Sequence, residues 1–128
     1  MKFLLDTHIC IWFLQSPENL SPLVRQELAN PENELWISPI STWEALMLQR
    51  KGRIRLRPDF VAWLRQASPG MRQAALTHEI AIASEQLVLH GDPADRFIAA
   101  TAQVLDLTLV TADLRLLGLG TIRTMGNR

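Results

Sequence analysis

Residues 92–113 read DPADRFIAATAQVLDLTLVTAD, and this stretch predicts a helix that leads directly into a buried strand. Asp92 and Pro93 are a strong helix start, because aspartate caps free backbone amides and proline suits the first helical position. The helix then shows one apolar face, formed by Phe97, Ile98, Thr101, Val104 and Leu105. The short run 107–111 is typical of a strand that is buried on both faces of a parallel sheet.

Short apolar runs elsewhere predict further strands, which with the first lie at residues 2–5, 34–37, 72–76, 107–111 and 121–124. Helix starts are predicted between them, at Thr7 or His8, Ser21-Pro22, Ser38-Pro39 or Ser41, Asp59, Thr77 and Asp92. The Asp59 helix should reach about residue 67, before a turn at 68–70, and residues 90–91 should form a loop. Alternating strands and helices favour a parallel sheet with helices on both faces. We predict one domain over residues 1–128, a three-layer α/β/α fold with four to five mainly parallel strands.

The composition sets the class of protein. Hydrophobic residues make up 48% of the 128, which is enough for a globular domain with its own core. The formal net charge is zero, so any grip on nucleic acid must be a local basic surface. The single cysteine, Cys10, excludes an intramolecular disulfide, and we expect it to be buried. Asp6 and His8 interrupt the apolar N-terminus and no run is long enough for a membrane span, so we expect a soluble, cytoplasmic protein.

Four acidic residues carry the prediction of a site: Asp6, Glu44, Asp95 and Asp113. Asp6 and Asp113 each follow a predicted strand, and sites in parallel sheets form at the carboxyl ends of strands. Glu44 lies in a helix among apolar neighbours, where a lone charge needs a reason. Carboxylates brought together raise one another's pKa, and a hard cation such as Mg²⁺ or Mn²⁺ relieves that repulsion. The pattern predicts metal-assisted hydrolysis of a phosphodiester bond.

Each acidic residue also has an ordinary structural explanation. Asp6, Asp92 and Asp95 stand where helix-capping residues are common, and Asp113 fits a strand-to-turn transition. Glutamates such as Glu44 are usually solvated on helix surfaces. The joint pattern is more specific than any one member.

The motifs together resemble the PIN-domain family, and within it the VapC-type ribonuclease toxins of bacterial type II toxin–antitoxin pairs. The resemblance rests on FLLDTH at 3–8, ISPISTWE at 37–44, HGDPADRFIAATA at 90–102 and LVTAD at 109–113, and it spans essentially the whole chain. It implies that the four acidic residues named above form a metal site for Mg²⁺, with Mn²⁺ as a substitute. Within this site, it assigns the ligand role to Asp95, whereas the capping argument assigns Asp92 to the helix start. The family varies at its fourth acidic position, so Asp113 acts either directly or through water.

Polar neighbours of the acidic residues form a second group of candidates. Thr7, Ser41, Asp92 and Thr111 are predicted to hydrogen-bond the ligands or their waters, with ordinary capping as the alternative. His8 is close enough in sequence to contact a substrate.

One local basic run follows the helix that carries Glu44. Residues 50–57 hold five positive charges, which suit either a solvated helix end or contacts with a phosphate backbone. The candidate RNA contacts are Arg50, Lys51, Arg53 and, beside Asp95, Arg96.

The resemblance implies an Mg²⁺-dependent endoribonuclease toxin that forms a homodimer and is neutralised by a cognate antitoxin, whose tail occupies a groove. Trp43 and Met47 share a helix face and are candidates for contact with a partner. The alternative is a PIN-fold RNA-binding or RNA-processing protein that is not a toxin. A receiver-like phosphate-accepting pocket is excluded, because it requires a late lysine and none follows Lys51.

Overall fold

The computed structural model describes residues 1–66, 70–89 and 91–128. Its elements are β1 (Lys2–Leu5), α1 (Thr7–Gln15), a 3-10 turn (Pro17–Asn19), α2 (Pro22–Ala29), β2 (Glu34–Ile37), α3 (Pro39–Arg50), α4 (Phe60–Arg65), β3 (Met71–Gln73), α5 (His78–Gln86), α6 (Pro93–Val104), β4 (Thr108–Thr111), α7 (Leu114–Leu117) and β5 (Thr124–Gly126). The predicted end of the Asp59 helix at 67, most of the turn at 68–70 and the predicted loop residue His90 lie outside the described residues.

The five strands form one sheet in the order β3-β2-β1-β4-β5, and every neighbouring pair is parallel. This confirms the predicted parallel sheet. β1 is the middle strand, where Leu4 pairs with Trp36 of β2 on one side and Leu109 of β4 on the other. The chain moves outward from β1 in one direction for β2 and β3, and in the other for β4 and β5. The carboxyl ends of β1 and β4 therefore flank the point where the strand order reverses, which is where sites form in such sheets.

Helices cover both faces of the sheet, which confirms the three-layer architecture. Phe3 and Leu5 pack in the apolar cluster under α1, α2 and α4. Leu4 and Leu109 belong to the cluster on the opposite face, with residues of α5 and α6. This alternation follows from the two-residue period of a strand. Cys10 lies in the first cluster and is 1% exposed, as expected for a small buried hydrophobe.

Three predicted strands differ from the structure in their bounds, although β4 differs only in that it begins at Thr108 instead of residue 107. β3 ends at Gln73 instead of residue 76, because β2 ends at Ile37, whose carbonyl accepts the last sheet bond from the Ala74 amide at 2.8 Å. The final strand is Thr124–Gly126 instead of 121–124, since it pairs in register with β4 from Leu109 onward. Strand length here depends on the neighbouring strand, which the local pattern does not specify.

Polar residues that precede proline begin three of the helices, as predicted. The side chains of Ser21, Ser38 and Asp92 accept hydrogen bonds from backbone amides in the first turn of α2, α3 and α6. Asp59 is predicted to cap α4 in the same way, but its side chain makes no capping hydrogen bond in the described structure. Its Oδ1 instead lies 3.5 Å from Arg57 Nε. No helix within the described ranges is both long and apolar enough to cross a membrane.

Candidate metal centre

Asp6 lies at the centre of the candidate site because it directly follows the middle strand, β1. Its Oδ1 accepts a hydrogen bond from the Thr7 amide at 2.8 Å, and its Oδ2 accepts one from the Thr111 hydroxyl at 2.6 Å. The residue is only 9% exposed. Burial raises the pKa of Asp6, and this effect outweighs the two hydrogen bonds, which lower it. A buried, oriented carboxylate thus stands at the carboxyl edge of the sheet.

Three further carboxylates converge beside it. Glu44 of α3, Asp92 at the cap of α6 and Asp95 in its first turn each offer an oxygen, and these oxygens all lie within 4.8 Å of one another. They meet because α3 packs against both α1 and α6. Of the four predicted ligands, the structure thus places Glu44 and Asp95 together, with Asp6 close enough for its charge to raise the pKa of both.

Asp92 takes part in this group as well as capping its helix. Its Oδ1 accepts a hydrogen bond from the Ala94 amide at 2.9 Å, as the capping argument predicted. From the sequence alone, capping and metal binding are alternative roles that Asp92 and Asp95 divide between them. An ionised carboxylate has two oxygens with about four lone-pair positions. Capping therefore leaves Asp92 able to face the cation site together with Asp95.

Three hydroxyl groups form hydrogen bonds beside the acidic residues. Thr7 donates to the Ser41 hydroxyl at 3.2 Å, and both residues are buried. Thr111 donates to Asp6 and accepts a hydrogen bond from the Asp113 amide at 3.0 Å, so it ties two of the acidic positions together. Thr111 therefore contacts a predicted ligand directly, whereas the Thr7 and Ser41 hydroxyls contact each other, and their role beside the ligands stays a prediction.

The site accumulates negative charge in a partly buried setting. Burial raises the pKa of Asp95 to about 7, with additional upward contributions from Asp6, Asp92, Glu44 and Asp113. Burial also raises the pKa of Glu44, and the nearby Thr7 hydroxyl partly counteracts this rise. His8 is exposed on the first turn of α1, and its charge acts in the opposite direction on Asp6 and Glu44. The carboxylates of Asp6, Glu44 and Asp95, here called the inner group, therefore lack enough nearby positive charge to balance their own.

Asp113 stands apart from this inner group. Its carboxylate pairs with Arg115, whose Nη2 lies 2.9 Å from Asp113 Oδ2 and also 2.9 Å from Asp95 Oδ2. The hydrogen bond from Arg115 lowers the pKa of Asp113. The sequence reasoning missed Arg115. The available signal was its position two residues after Asp113, at the start of the short helix α7, where a side chain folds back on the capping residue.

The donor set fits a hard divalent cation. All donors are carboxylate oxygens, which Mg²⁺ and Mn²⁺ prefer. Oxygens on opposite sides of one Mg²⁺ lie about 4.2 Å apart, since each bond is about 2.1 Å. The separation of at most 4.8 Å within the Glu44, Asp92 and Asp95 group requires only a small side-chain adjustment to match this.

The basic run forms an exposed turn after α3. Arg50, Lys51 and Arg53 are all exposed, as candidates for phosphate contact should be. The backbone of the turn is fixed by Gln15, whose side chain donates to the Arg55 carbonyl at 2.8 Å and accepts from the Arg57 amide at 3.0 Å. The fourth candidate, Arg96, is half-buried, and its Nε is buried without a hydrogen-bond partner among the described residues. Arg96 is therefore less available to a phosphate than the other three.

An apolar cleft of about 460 Å³ opens along α3, on the helix that also carries Glu44. It is lined by Pro39, Trp43, Leu46, Val61, Leu64 and Arg65, among others. Trp43 is 54% exposed and Leu46 is 38% exposed, so the cleft presents apolar surface to solvent.

Comparison with known proteins agrees with this geometry. A model of the PIN domain matches residues 3–120. The chain is 36% identical over 115 residues to Ribonuclease VapC22 of Mycobacterium tuberculosis, a match that covers 88% of each protein.

Solved structures of similar fold include VapBC2 from Rickettsia felis bound to a DNA fragment from their promoter, with a TM-score of 0.72, 19% identity and coverage of 98% of both chains. DNA-bound VapBC from Salmonella typhimurium aligns with a TM-score of 0.70 and 24% identity, covering 100% of this chain and 99% of the other. At these identities the likeness establishes the fold.

Proposed function

Because this chain belongs to the PIN-domain family, we propose that it is a divalent-metal-dependent endoribonuclease, the toxin of a type II toxin–antitoxin pair. The observation that carries the proposal is the convergence of Glu44, Asp92 and Asp95 within 4.8 Å beside the buried Asp6. The name of the 36% identical relative, a ribonuclease, supports RNA as the substrate.

In this proposal Asp6, Glu44 and Asp95 bind Mg²⁺ or Mn²⁺. Asp92 lies in contact with these ligands, and Asp113 binds the cation directly or through water. When bound, the cation lowers the pKa of a coordinated water and neutralises charge on the phosphate under attack. The protein's part is to fix the oxygens in place. The Thr111 hydroxyl donates a hydrogen bond to Asp6 at 2.6 Å, and the Thr7 hydroxyl donates one to the Ser41 hydroxyl at 3.2 Å. These side chains therefore need little reorganisation when RNA arrives.

The exposed basic turn supplies the attraction that the acidic site lacks. Arg50 lies six residues beyond Glu44, about 9 Å further along the axis of α3. We assign Arg50, Lys51 and Arg53 to the RNA backbone, because phosphate contacts by exposed basic side chains dominate affinity without reading sequence. Replacing Lys51 and Arg53 with glutamine should weaken RNA binding and flatten its salt dependence, measured by fluorescence anisotropy from about 0.05 to 0.3 M salt.

The apolar cleft is the proposed seat of the antitoxin tail. Trp43 and Leu46 offer exposed apolar surface on the helix that carries Glu44, so a segment bound there would lie along the same helix as part of the acidic site. A basic side chain on that segment would meet the carboxylates directly.

We place the complex, and a homodimer of the chain, in the cytoplasm. Light scattering on the purified protein tests the dimer.

The proposal is tested first by incubating total cellular RNA with the purified chain and Mg²⁺ or Mn²⁺. Discrete fragments that disappear with EDTA and with Asp95→Asn are expected. Asp106→Asn is the matched control, since it makes the same chemical change at an aspartate that pairs with Arg123 away from the site. No cleavage by folded chain with either metal would contradict the nuclease assignment.

Expression in a bacterium separates the toxin from the alternative, an RNA-binding or RNA-processing protein of the same fold. A toxin arrests growth on induction, and the arrest is relieved by Asp95→Asn or by co-expression of an antitoxin encoded beside it. Cleavage in vitro without growth arrest would favour the alternative.

A further inference from the structure

The acidic site contains one arginine of its own, and the proposed reaction gives it no role. Arg115 Nη2 lies 2.9 Å from an oxygen of Asp95 and 2.9 Å from an oxygen of Asp113, and its Nε lies 3.3 Å from the second oxygen of Asp113. The Arg115 guanidinium thus links Asp95, which belongs to the inner group, to Asp113, the outer carboxylate.

The backbone around Arg115 is built to allow this contact. The Asp113 side chain caps α7 by accepting from the Arg115 amide at 2.8 Å, which aims the arginine at the site. Gly91 adopts a φ of +114°, and a Cβ at that position would lie 2.9 Å from Arg115 Nη1. The absent side chain at residue 91 therefore leaves the space into which the guanidinium fits.

Charge explains why the guanidinium lies there. Glu44, Asp92 and Asp95 offer oxygens within 4.8 Å of one another, so the metal-free site crowds carboxylates together and favours a cationic side chain beside them. The Arg115 side chain is 54% exposed, whereas that of Asp95 is 13% exposed. The arginine therefore lies at the solvent-facing edge of the site, whereas the Asp95 carboxylate lies inside it.

We propose that Arg115 is an internal counter-ion that competes with the divalent cation for Asp95. In the metal-free chain it neutralises Asp95 and Asp113, and a cation that binds Asp95 displaces it from that carboxylate while its pair with Asp113 remains. The guanidinium raises the cation concentration that is needed to occupy the site, and it stabilises the folded chain when no cation is bound. This inference rests on the proposed metal site.

The test is a calorimetric titration of the full chain with Mn²⁺, comparing wild type with Arg115→Gln and with Arg123→Gln. Arg123 is the matched control, because it also forms an exposed ion pair at 2.9 Å, with Asp106. Arg115→Gln should bind Mn²⁺ about three- to tenfold more tightly, since a competing charge-assisted contact is gone. Arg123→Gln should bind as wild type does. Arg115→Lys, which keeps the charge but loses the planar fork that spans two carboxylates, should fall between.

Thermal denaturation gives a readout that is independent of catalysis, and in EDTA it is also independent of metal affinity. Arg115→Gln should melt at a lower temperature than wild type without metal, and should gain more than wild type on addition of Mn²⁺. Equal or weaker Mn²⁺ binding by Arg115→Gln would overturn the counter-ion role while leaving the metal site intact. Absence of Mn²⁺ binding in wild type and variants alike would overturn the metal site, and with it the counter-ion.

Discussion

The inner and outer sides of the acidic site carry the same chemical group in opposite electrostatic states. On the inner side, burial raises the pKa of Asp6, Glu44 and Asp95. On the outer side, the hydrogen bond from Arg115 lowers the pKa of Asp113. Asp6 and Asp113 both follow strands that end at the same edge of the sheet, so their local positions are alike. Burial and a counter-ion, not the motif, make them differ.

This difference indicates which side depends on a metal. The outer carboxylate of Asp113 already has a positive partner at 2.9 Å, whereas the one salt bridge to the inner group among the described residues is that of Arg115 with Asp95. Carboxylates without sufficient countercharge are poised to bind a cation and to release protons as they do so. Four predictions test the contrast.

The largest effect is expected from Asp6→Asn. Loss of this central charge should reduce cleavage by at least about 100-fold, which is the upper range for residues that support a metal site. The fold should persist with an equal or higher melting temperature in EDTA, because the variant removes a buried charge and retains Oδ1 to accept from Thr7. RNA cleavage and thermal denaturation check the two parts. Cleavage within about threefold of wild type would remove Asp6 from the site.

Asp95→Asn and Asp92→Asn should rank the two aspartates of α6. We expect a loss of about 100-fold for Asp95 and about tenfold for Asp92, because Asp92 also serves as a cap that asparagine preserves. Initial cleavage rates at saturating Mg²⁺ measure both. The reverse order would make Asp92 the principal ligand.

Proton competition should reveal the raised pKa of Asp95. With a pKa of about 7, this group should let Mn²⁺ affinity rise about tenfold from pH 6 to pH 8, as measured by calorimetry. The folded chain binds this proton more tightly than the unfolded chain, in which the pKa is 3.8. In EDTA, the contribution of Asp95 to stability is therefore full below about pH 4 and is lost as the pH rises to about 7. A pH-independent affinity would show that Asp95 is already ionised at pH 6.

Asp113→Asn should have the smallest effect. Asparagine keeps an oxygen to accept from the Arg115 amide, and Asp113 is expected to act at the edge of the metal site, so the loss of cleavage should be about threefold to tenfold. Rates for Asp113→Asn and Asp95→Asn, measured side by side, make the comparison. Equal losses would place Asp113 among the inner ligands and remove the contrast between the two sides.

Local chemistry made much of the fold predictable. The first two strands have the predicted bounds, 2–5 and 34–37, because short apolar runs between polar ends have few other stable conformations. Ser21 and Asp92 cap their helices as predicted, and Ser38 caps α3 as the first of its two predicted starts, since capping needs only a side-chain oxygen and the amides that follow it. The acidic positions after β1 and β4 likewise followed from sequence, because parallel strands end at one edge.

The sequence by itself determined the order of strands and helices, the capping residues and the carboxylates that reach the edge of the sheet. Only the tertiary structure decided where β3 and β5 pair, which depends on the neighbouring strand. It also decided that Glu44 meets Asp95, through the packing of α3 on α6, and that Arg115 reaches Asp95 from twenty residues away. Such contacts join distant segments, so the physical forces that set them act only once the chain has folded.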